Sequence, residues 1–236
     1  MTKKAEIGKE ATVQVTPDGP YLVSGKVPLV KEIVVSDKKG VPIEWKAGET
    51  FPTKEAYAVC RCGGSVNKPF CDGTHVKIGF KGEETASHEK YADQAEQYEG
   101  PRLDLADDQE LCAGLQFCHR AGGVWGLIER SDDPEAKKIA TEITTRCASG
   151  RLVAIEKNGE EIEPGMKSSI SVVEDPGKGV SGPLWVKGMI PVISASGEGY
   201  EPRNRVTLCR CGSSENKPFC DGTHVSIHFQ DGDKTL

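Results

Sequence analysis

Sixteen residues of this chain occur almost twice. Cys60-Arg-Cys62-Gly-Gly-Ser-Val-Asn-Lys-Pro-Phe-Cys71-Asp-Gly-Thr-His75 returns 149 positions later as Cys209-Arg-Cys211-Gly-Ser-Ser-Glu-Asn-Lys-Pro-Phe-Cys220-Asp-Gly-Thr-His224. Each copy puts three thiols and one imidazole into a segment too short and polar to build its own core, which is what a metal centre needs. With 36% hydrophobic residues, 27 glycines and 14 prolines, the 236-residue chain has a thin core and many turns, so bound metal would add stability that burial cannot supply. The duplication favours several small units over one large domain.

The nine cysteines divide into the two motif triads plus Cys112, Cys118 and Cys147. An odd count suits three ligand sets better than a disulfide framework, and a reducing compartment follows. The stretch Met1 to Glu10 is charged with no apolar run after it, and no segment is long enough to cross a bilayer, so the expectation is a soluble, cytoplasmic protein without a membrane partner. A net charge of −6 gives no basic footprint for nucleic acid. Acidic residues gather over 82–110, as a solvated surface or linker or as a docking surface for a basic redox partner. Nothing resembles a nucleophile–base pair, a phosphate loop or a dinucleotide fingerprint, so an enzyme is not expected.

The repeat extends beyond the cysteines: Gly19-Pro-Tyr-Leu-Val-Ser-Gly25 echoes Gly182-Pro-Leu-Trp-Val-Lys-Gly188. Each unit is therefore a short strand region followed by a ligand loop. The first copy spends 14 more residues between that glycine and its first cysteine, which predicts a longer hairpin turning at Asp37-Lys-Lys-Gly40. Alternation predicts strands at Leu22–Val23, Ile33–Val35, Tyr57–Val59 and Val206–Leu208. Both loops run into His-Val-x-Ile-x-Phe, where period-two spacing would lay Val76, Ile78 and Phe80, or Val225, Ile227 and Phe229, over the metal. Between the copies the pattern turns helical. Asp133 before Pro134 is an N-cap with proline at the first helical position, leading to Cys147, and a polar helix is expected over about 87–98.

Within each copy the spacing is Cys-x-Cys, eight residues, then Cys-x3-His. A [2Fe-2S] centre needs two protein ligands on each iron, so ligands come in pairs. Cys60 with Cys62 and Cys71 with His75 form one such set; Cys209 with Cys211 and Cys220 with His224 form the other. Cys3His also suits structural zinc, although zinc sites more often space their cysteines Cys-x2-4-Cys. Gly63, Gly64 and Gly73 allow tight or left-handed backbone, Asp72 can cap a turn, and Asn67, Lys68, Arg61 and Arg210 are candidates to donate to a cluster's negative charge.

With threonine (Thr74, Thr223) in its variable slot, the motif resembles that of the CDGSH (mitoNEET-like) iron-sulfur family, over roughly 19–80 and 182–229. The resemblance implies one [2Fe-2S] cluster per copy on three cysteines and one histidine. It also implies a β-rich fold in which two units pack about a two-fold axis, here within one chain or in a homodimer. The middle triad is similar to a divergent mono-cluster ferredoxin-like domain. That implies a third cluster, [3Fe-4S] or [4Fe-4S], with His119 as a possible fourth ligand, although Ala148 stands where such motifs carry proline and the segment around Trp125 matches no ferredoxin pattern. The alternative is that Cys112, Cys118 and Cys147 are small buried core residues.

The expected architecture is α+β, mostly β. Residues 1–82 and 166–236 form two cluster units packed as an internal pseudo-dimer, and 83–165 form a helical, ferredoxin-like middle. The expected function is proton-coupled electron transfer or redox and pH sensing. The alternatives are an iron-sulfur storage or transfer protein that serves apo-acceptors and, more remotely, a zinc-held interaction module.

Overall fold

The computed structural model describes residues 10–236, so nearly all of the charged amino-terminal stretch lies outside the described residues. The fold is α+β, with 18% helix and 30% strand. No helix among the described residues is long and apolar enough to cross a membrane.

Two sheets are built by exchange between the copies. In the first, β1 (Thr12–Val15), β2 (Tyr21–Ser24) and β5 (Ala56–Val59) run antiparallel, and β12 (Val192–Ile193) from the second copy joins β1 in parallel. In the second sheet, β10 (Ser169–Asp175), β11 (Val180–Lys187) and β13 (Arg205–Leu208) are the counterparts of β1, β2 and β5. There β3 (Leu29–Ser36) of the first copy joins β10 in parallel, and β4 (Pro42–Phe51) pairs with β3. The registers mirror each other, Val13 opposite Val192 and Ile170 opposite Leu29, so the chain is an internal pseudo-dimer with swapped strands.

Alternation explains why the sheets close. Val13, Val15, Tyr21 and Val23 are at most 1% exposed while Leu22 between them is 44% exposed. Their buried faces meet Ile170, Val172, Leu184, Val186 and Leu208 in one core. Each such aliphatic side chain contributes about 1.5–3 kcal/mol by leaving water.

The extra residues of the first copy form the β3–β4 hairpin at Asp37–Gly40, where Asp37 Oδ1 accepts the N–H groups of Lys39 and Val41. This hairpin carries Trp45, which stacks on Phe117 and packs tilted against Trp185, with ring centroids 4.9 Å apart in both pairs. Trp45 Nε1 donates to the Arg146 carbonyl at 3.1 Å. Both faces of β11 are therefore covered, one by the shared core and the other by the middle unit.

The middle unit has its own sheet, β6 (Glu96–Tyr98), β7 (Leu103–Asp107), β8 (Leu152–Glu156) and β9 (Glu161–Ile162), all antiparallel. Two helices, α3 (Val124–Glu129) and α4 (Pro134–Arg146), pack on it through Leu127, Ile128, Ala140 and Ile143. As expected, Asp133 caps α4 by accepting from Glu135 N–H at 3.0 Å, and Cys147 follows its last turn. The polar helix expected over 87–98 is instead a single turn, α2 (Tyr91–Gln94), followed by β6. Only Tyr91 of that turn is buried, so the segment lacks the apolar face a longer helix needs. The acidic linker is partly structural: Glu84 accepts from Ala195 N–H at 2.8 Å and Tyr200 Oη at 3.1 Å.

Candidate metal centres

Each ligand loop folds back on the strand that precedes it. Cys60 N–H donates to the Pro69 carbonyl (2.8 Å) and Cys71 N–H to the Ala58 carbonyl (3.0 Å); Cys209 to Pro218 (2.8 Å) and Cys220 to Thr207 (2.9 Å) repeat this. Ser65 and Ser214 brace the loops from within, each hydroxyl donating to the carbonyl of Phe70 or Phe219 at 2.7 Å. Gly73 and Gly222 sit at φ 87° and 85°, a left-handed turn that glycine adopts without strain, and start one helical turn each: α1 (Thr74–Lys77) and α5 (Thr223–Ser226). As the sequence suggested, Asp72 caps this turn, accepting from Thr74 N–H and Val66 N–H at 2.9 Å each. The Thr74 hydroxyl, then these N–H groups, hold its carboxyl well below the usual range.

The donors arrive in pairs. Cys60 and Cys62 Sγ atoms are 3.8 Å apart, and Cys71 Sγ is 3.4 Å from His75 Nδ1; Cys209–Cys211 and Cys220–His224 have the same 3.8 and 3.4 Å. Two thiolates on one tetrahedral ion with bonds of about 2.3 Å lie about 3.8 Å apart, so each pair fits one ion. The two pairs of a set do not converge on a common ion: among the described residues, the only three donors within 4.8 Å of one another are Glu174, Asp231 and Asp233. Each of the three already pairs with Arg210 or Lys31.

The two loops touch. A Cβ on Gly63 would lie 2.5 Å from the Cys211 carbonyl oxygen, and one on Gly212 would lie 2.7 Å from the Cys62 carbonyl oxygen. Tyr21 of the first copy donates to the carbonyls of Cys209 and Pro218 in the second. Amides approach the sulfurs as well, Gly64 N–H to Cys62 Sγ and Gly222 N–H to Cys220 Sγ at 3.4 Å.

Burial separates the two sites. Cys62, Cys71 and His75 are half-buried, whereas Cys211, Cys220 and His224 are buried, His224 with 2% exposure. Burial, then the nearby charges of Arg210 and Lys178, push the His224 imidazole down to about 4, so it stands neutral with Nδ1 toward Cys220 and a buried, unpartnered Nε2. Burial also pushes the thiols of Cys62 and, much further, Cys220 upward, so the proton leaves in exchange for a metal cation.

Three expectations change here. Arg61 and Arg210 are neither at the surface nor aimed at the ligands: each is 1% exposed. Arg61 bonds the carbonyls of Thr16 and Gly82; Arg210 bonds those of Gly182 and Val173 and pairs with Glu174 and Asp231. Lys68 and Lys217 donate to the carbonyls of Ser65 and Ser214, while Asn216 reaches the Glu110 carbonyl. Gly63 has the left-handed backbone at φ 72°, and Gly64 instead brings its N–H to Cys62 Sγ. The expected apolar strands over the metal are the helical turns α1 and α5, and Val76, Ile78 and Ile227 face solvent at 75%, 55% and 46% exposure. Phe80 and Phe229 instead lie under the guanidinium groups of Arg61 and Arg210.

The middle cysteines do meet. Cys112, Cys118 and Cys147 line one cavity with Ala113, Phe117 and Arg151. They are too far apart for a single ion, lying outside the one 4.8 Å group, as the corners of a larger cluster would be. Burial, then the neighbouring Cys147, push Cys118 up to about 12, so this thiol also needs a cation to ionise. His119 is exposed and does not line the cavity. Sequence reasoning missed the polar support of this site. Arg151 faces Cys112, and fully buried Asp107 holds it with two bonds of 2.5 and 2.9 Å while also accepting from Trp125 Nε1 at 3.2 Å. Asp107 and Arg151 are 44 positions apart, so no local pattern marks them as a pair.

Residues 18–76 and 181–225 both match the family described as iron-binding zinc finger, CDGSH type. The chain carries two CDGSH-type regions. Between its CDGSH regions, residues 98–157 match a second family, the divergent 4Fe-4S mono-cluster. This tandem CDGSH chain is therefore a metal-binding, iron-sulfur protein with a mono-cluster-like domain inserted between its two halves. Comparison with curated proteins and with solved structures gave no significant match.

Proposed function

We propose that the chain is an electron carrier or redox sensor. Each CDGSH loop holds a [2Fe-2S] cluster through Cys60, Cys62, Cys71 and His75, or Cys209, Cys211, Cys220 and His224, and Cys112, Cys118 and Cys147 hold a third cluster, [3Fe-4S] or [4Fe-4S]. The pairing of donors carries this reading: two 3.8 Å thiol pairs and two 3.4 Å thiol–imidazole pairs without convergence suit two irons per loop better than one zinc. When bound, such clusters supply one-electron couples.

The chain's own groups set how those couples behave. A neutral imidazole in place of one thiolate leaves the site about one charge less negative, which favours reduction. Glycine amides soften the remaining sulfur charge, and burial of Cys211, Cys220 and His224 keeps water from the second site. Nδ1 of His75 and His224 is where a proton competes with iron, so acid loosens the site and couples it to pH. The ligand-rich thiols suit a reducing compartment, the cytoplasm in our reading, and the chain acts through partner proteins rather than on a small substrate.

The test replaces both histidines. The His75→Cys, His224→Cys double variant should keep its visible absorption at pH values that bleach the unmodified protein; equal acid lability in both would contradict the proposal.

The half-exposed first site favours a second reading, cluster delivery to an apo-acceptor. When holo protein is mixed with an apo-ferredoxin, a donor loses iron to it, whereas a carrier keeps its own.

A further inference from the structure

The pseudo-two-fold axis makes the second site a template for the first. On the second copy, the middle unit's cysteine loop sits directly against the ligand turn. A Cβ at Gly222 would lie 3.2 Å from the Cys112 carbonyl oxygen and 3.3 Å from Gly114 N, and one at Gly114 would meet Val225 Cγ2 at 3.3 Å. Cys220 itself packs with Ala113, Leu115 and Phe117. Thus one CDGSH face is already docked, in cis, to a loop of mono-cluster type.

The equivalent face of the first copy is bare. A Cβ at Gly73 would meet nothing within 4 Å, Val76 is 75% exposed where Val225 is half-buried, and Val66 is 92% exposed. The two faces also differ in charge. Residues 60–80 carry Arg61, Lys68 and Lys77 against Asp72, a net of +2, while residues 209–229 carry Arg210 and Lys217 against Glu215 and Asp221, a net of 0. The whole difference lies in Val66 for Glu215 and Lys77 for Ser226. The unit that covers the second face is itself acidic: residues 98–157 hold 8 basic and 11 acidic side chains, a net of −3.

We propose that the open face formed by Val66, Gly73, Val76, Lys77 and Ile78 docks a separate, acidic, single-cluster ferredoxin, seated there as the middle unit is seated on the second site. The exposed valines supply apolar contact and the extra positive charge draws in and orients an acidic partner. The reduced ferredoxin is the reductant: one electron leaves it and enters the first site, and no bond forms or breaks. This inference rests on reading Cys60, Cys62, Cys71 and His75 as a cluster site.

The test gives the first face the residues of the second. Val66→Glu with Lys77→Ser uses side chains the other copy already accommodates, so the fold should tolerate it. The probe is an acidic bacterial ferredoxin with one [4Fe-4S] cluster, titrated against the holo protein at low and high salt. Binding should weaken at least about ten-fold in the double variant and fall with salt in the unmodified protein, while Ser226→Glu on the second face leaves it unchanged. An intact [2Fe-2S] spectrum with no binding, with equal binding in the double variant, or with the face taken up by a second copy of this chain would overturn the docking alone. Loss of the spectrum from unmodified protein would overturn the cluster reading and the docking with it.

Discussion

At the residue scale, the arginine between each pair of cysteines shows how neighbours in sequence can serve opposite ends of a loop. Cys209 and Cys211 pair their sulfurs on one side, and Arg210 between them points the other way, into a fully buried carboxylate and two backbone carbonyls. Burial raises Glu174, which has one oxygen without a partner, so the guanidinium is what keeps that carboxylate charged. Arg210→Met should cost about 3–5 kcal/mol in urea unfolding because it strands a buried charge. Arg61→Met, which removes bonds to carbonyls but no ion pair, should cost about 1–3 kcal/mol. Equal losses would contradict these roles. The sequence reading offered these arginines as donors to a cluster, but alternation along Cys-Arg-Cys turns them away from the cysteines. The sequence did not reveal Glu174 as the partner, 36 positions away.

At the element scale, legibility followed locality. Strands bounded by glycine, the Asp37–Gly40 hairpin and the Asp133-capped α4 were readable because each is decided within a few residues. The donor pairs, Cys60 with Cys62 and Cys71 with His75 and their counterparts, come together as their spacing suggested. The turn after each motif was misread: Gly73 and Gly222 force left-handed backbone and Asp72 and Asp221 cap it, so a local helical turn overrides the period-two pattern that follows. Pairing of Val13 with Val192 was out of reach, being decided only when the two copies meet.

Contacts between the middle unit and β13 give this scale its prediction. Arg205, 1% exposed, donates to the carbonyls of Thr144, Cys147 and Leu152 and pairs with Glu163 at 2.6 Å. Burial alone would raise the Glu163 carboxyl, but Arg205 outweighs it and holds the group below its usual range. A carboxyl depressed in the fold lends stability that is complete above its unfolded value near 4.5 and drains away as pH falls through the folded value. Glu163→Gln should therefore be less stable at neutral pH by about 1–3 kcal/mol and lose part of the acid sensitivity. Parallel pH profiles for variant and unmodified protein would refute it.

At the scale of the whole molecule, a duplicated sequence yields inequivalent sites because only the first copy carries the β3–β4 extension. Its Trp45 helps seat the middle unit on the outer face of the second sheet, and that unit closes the second site while the first stays open. Trp45→Ala should loosen this seat, read as faster alkylation of Cys211 and Cys220 in metal-free protein; unchanged rates would show the seat is held elsewhere. The most direct measurement of the central claim is iron and acid-labile sulfide per chain, with the visible spectrum, on protein purified without oxygen. Two binuclear sites and a filled middle site predict coloured protein with about seven or eight irons, and about four if the middle cysteines stay empty. Colourless protein carrying zinc in the CDGSH loops would contradict the account.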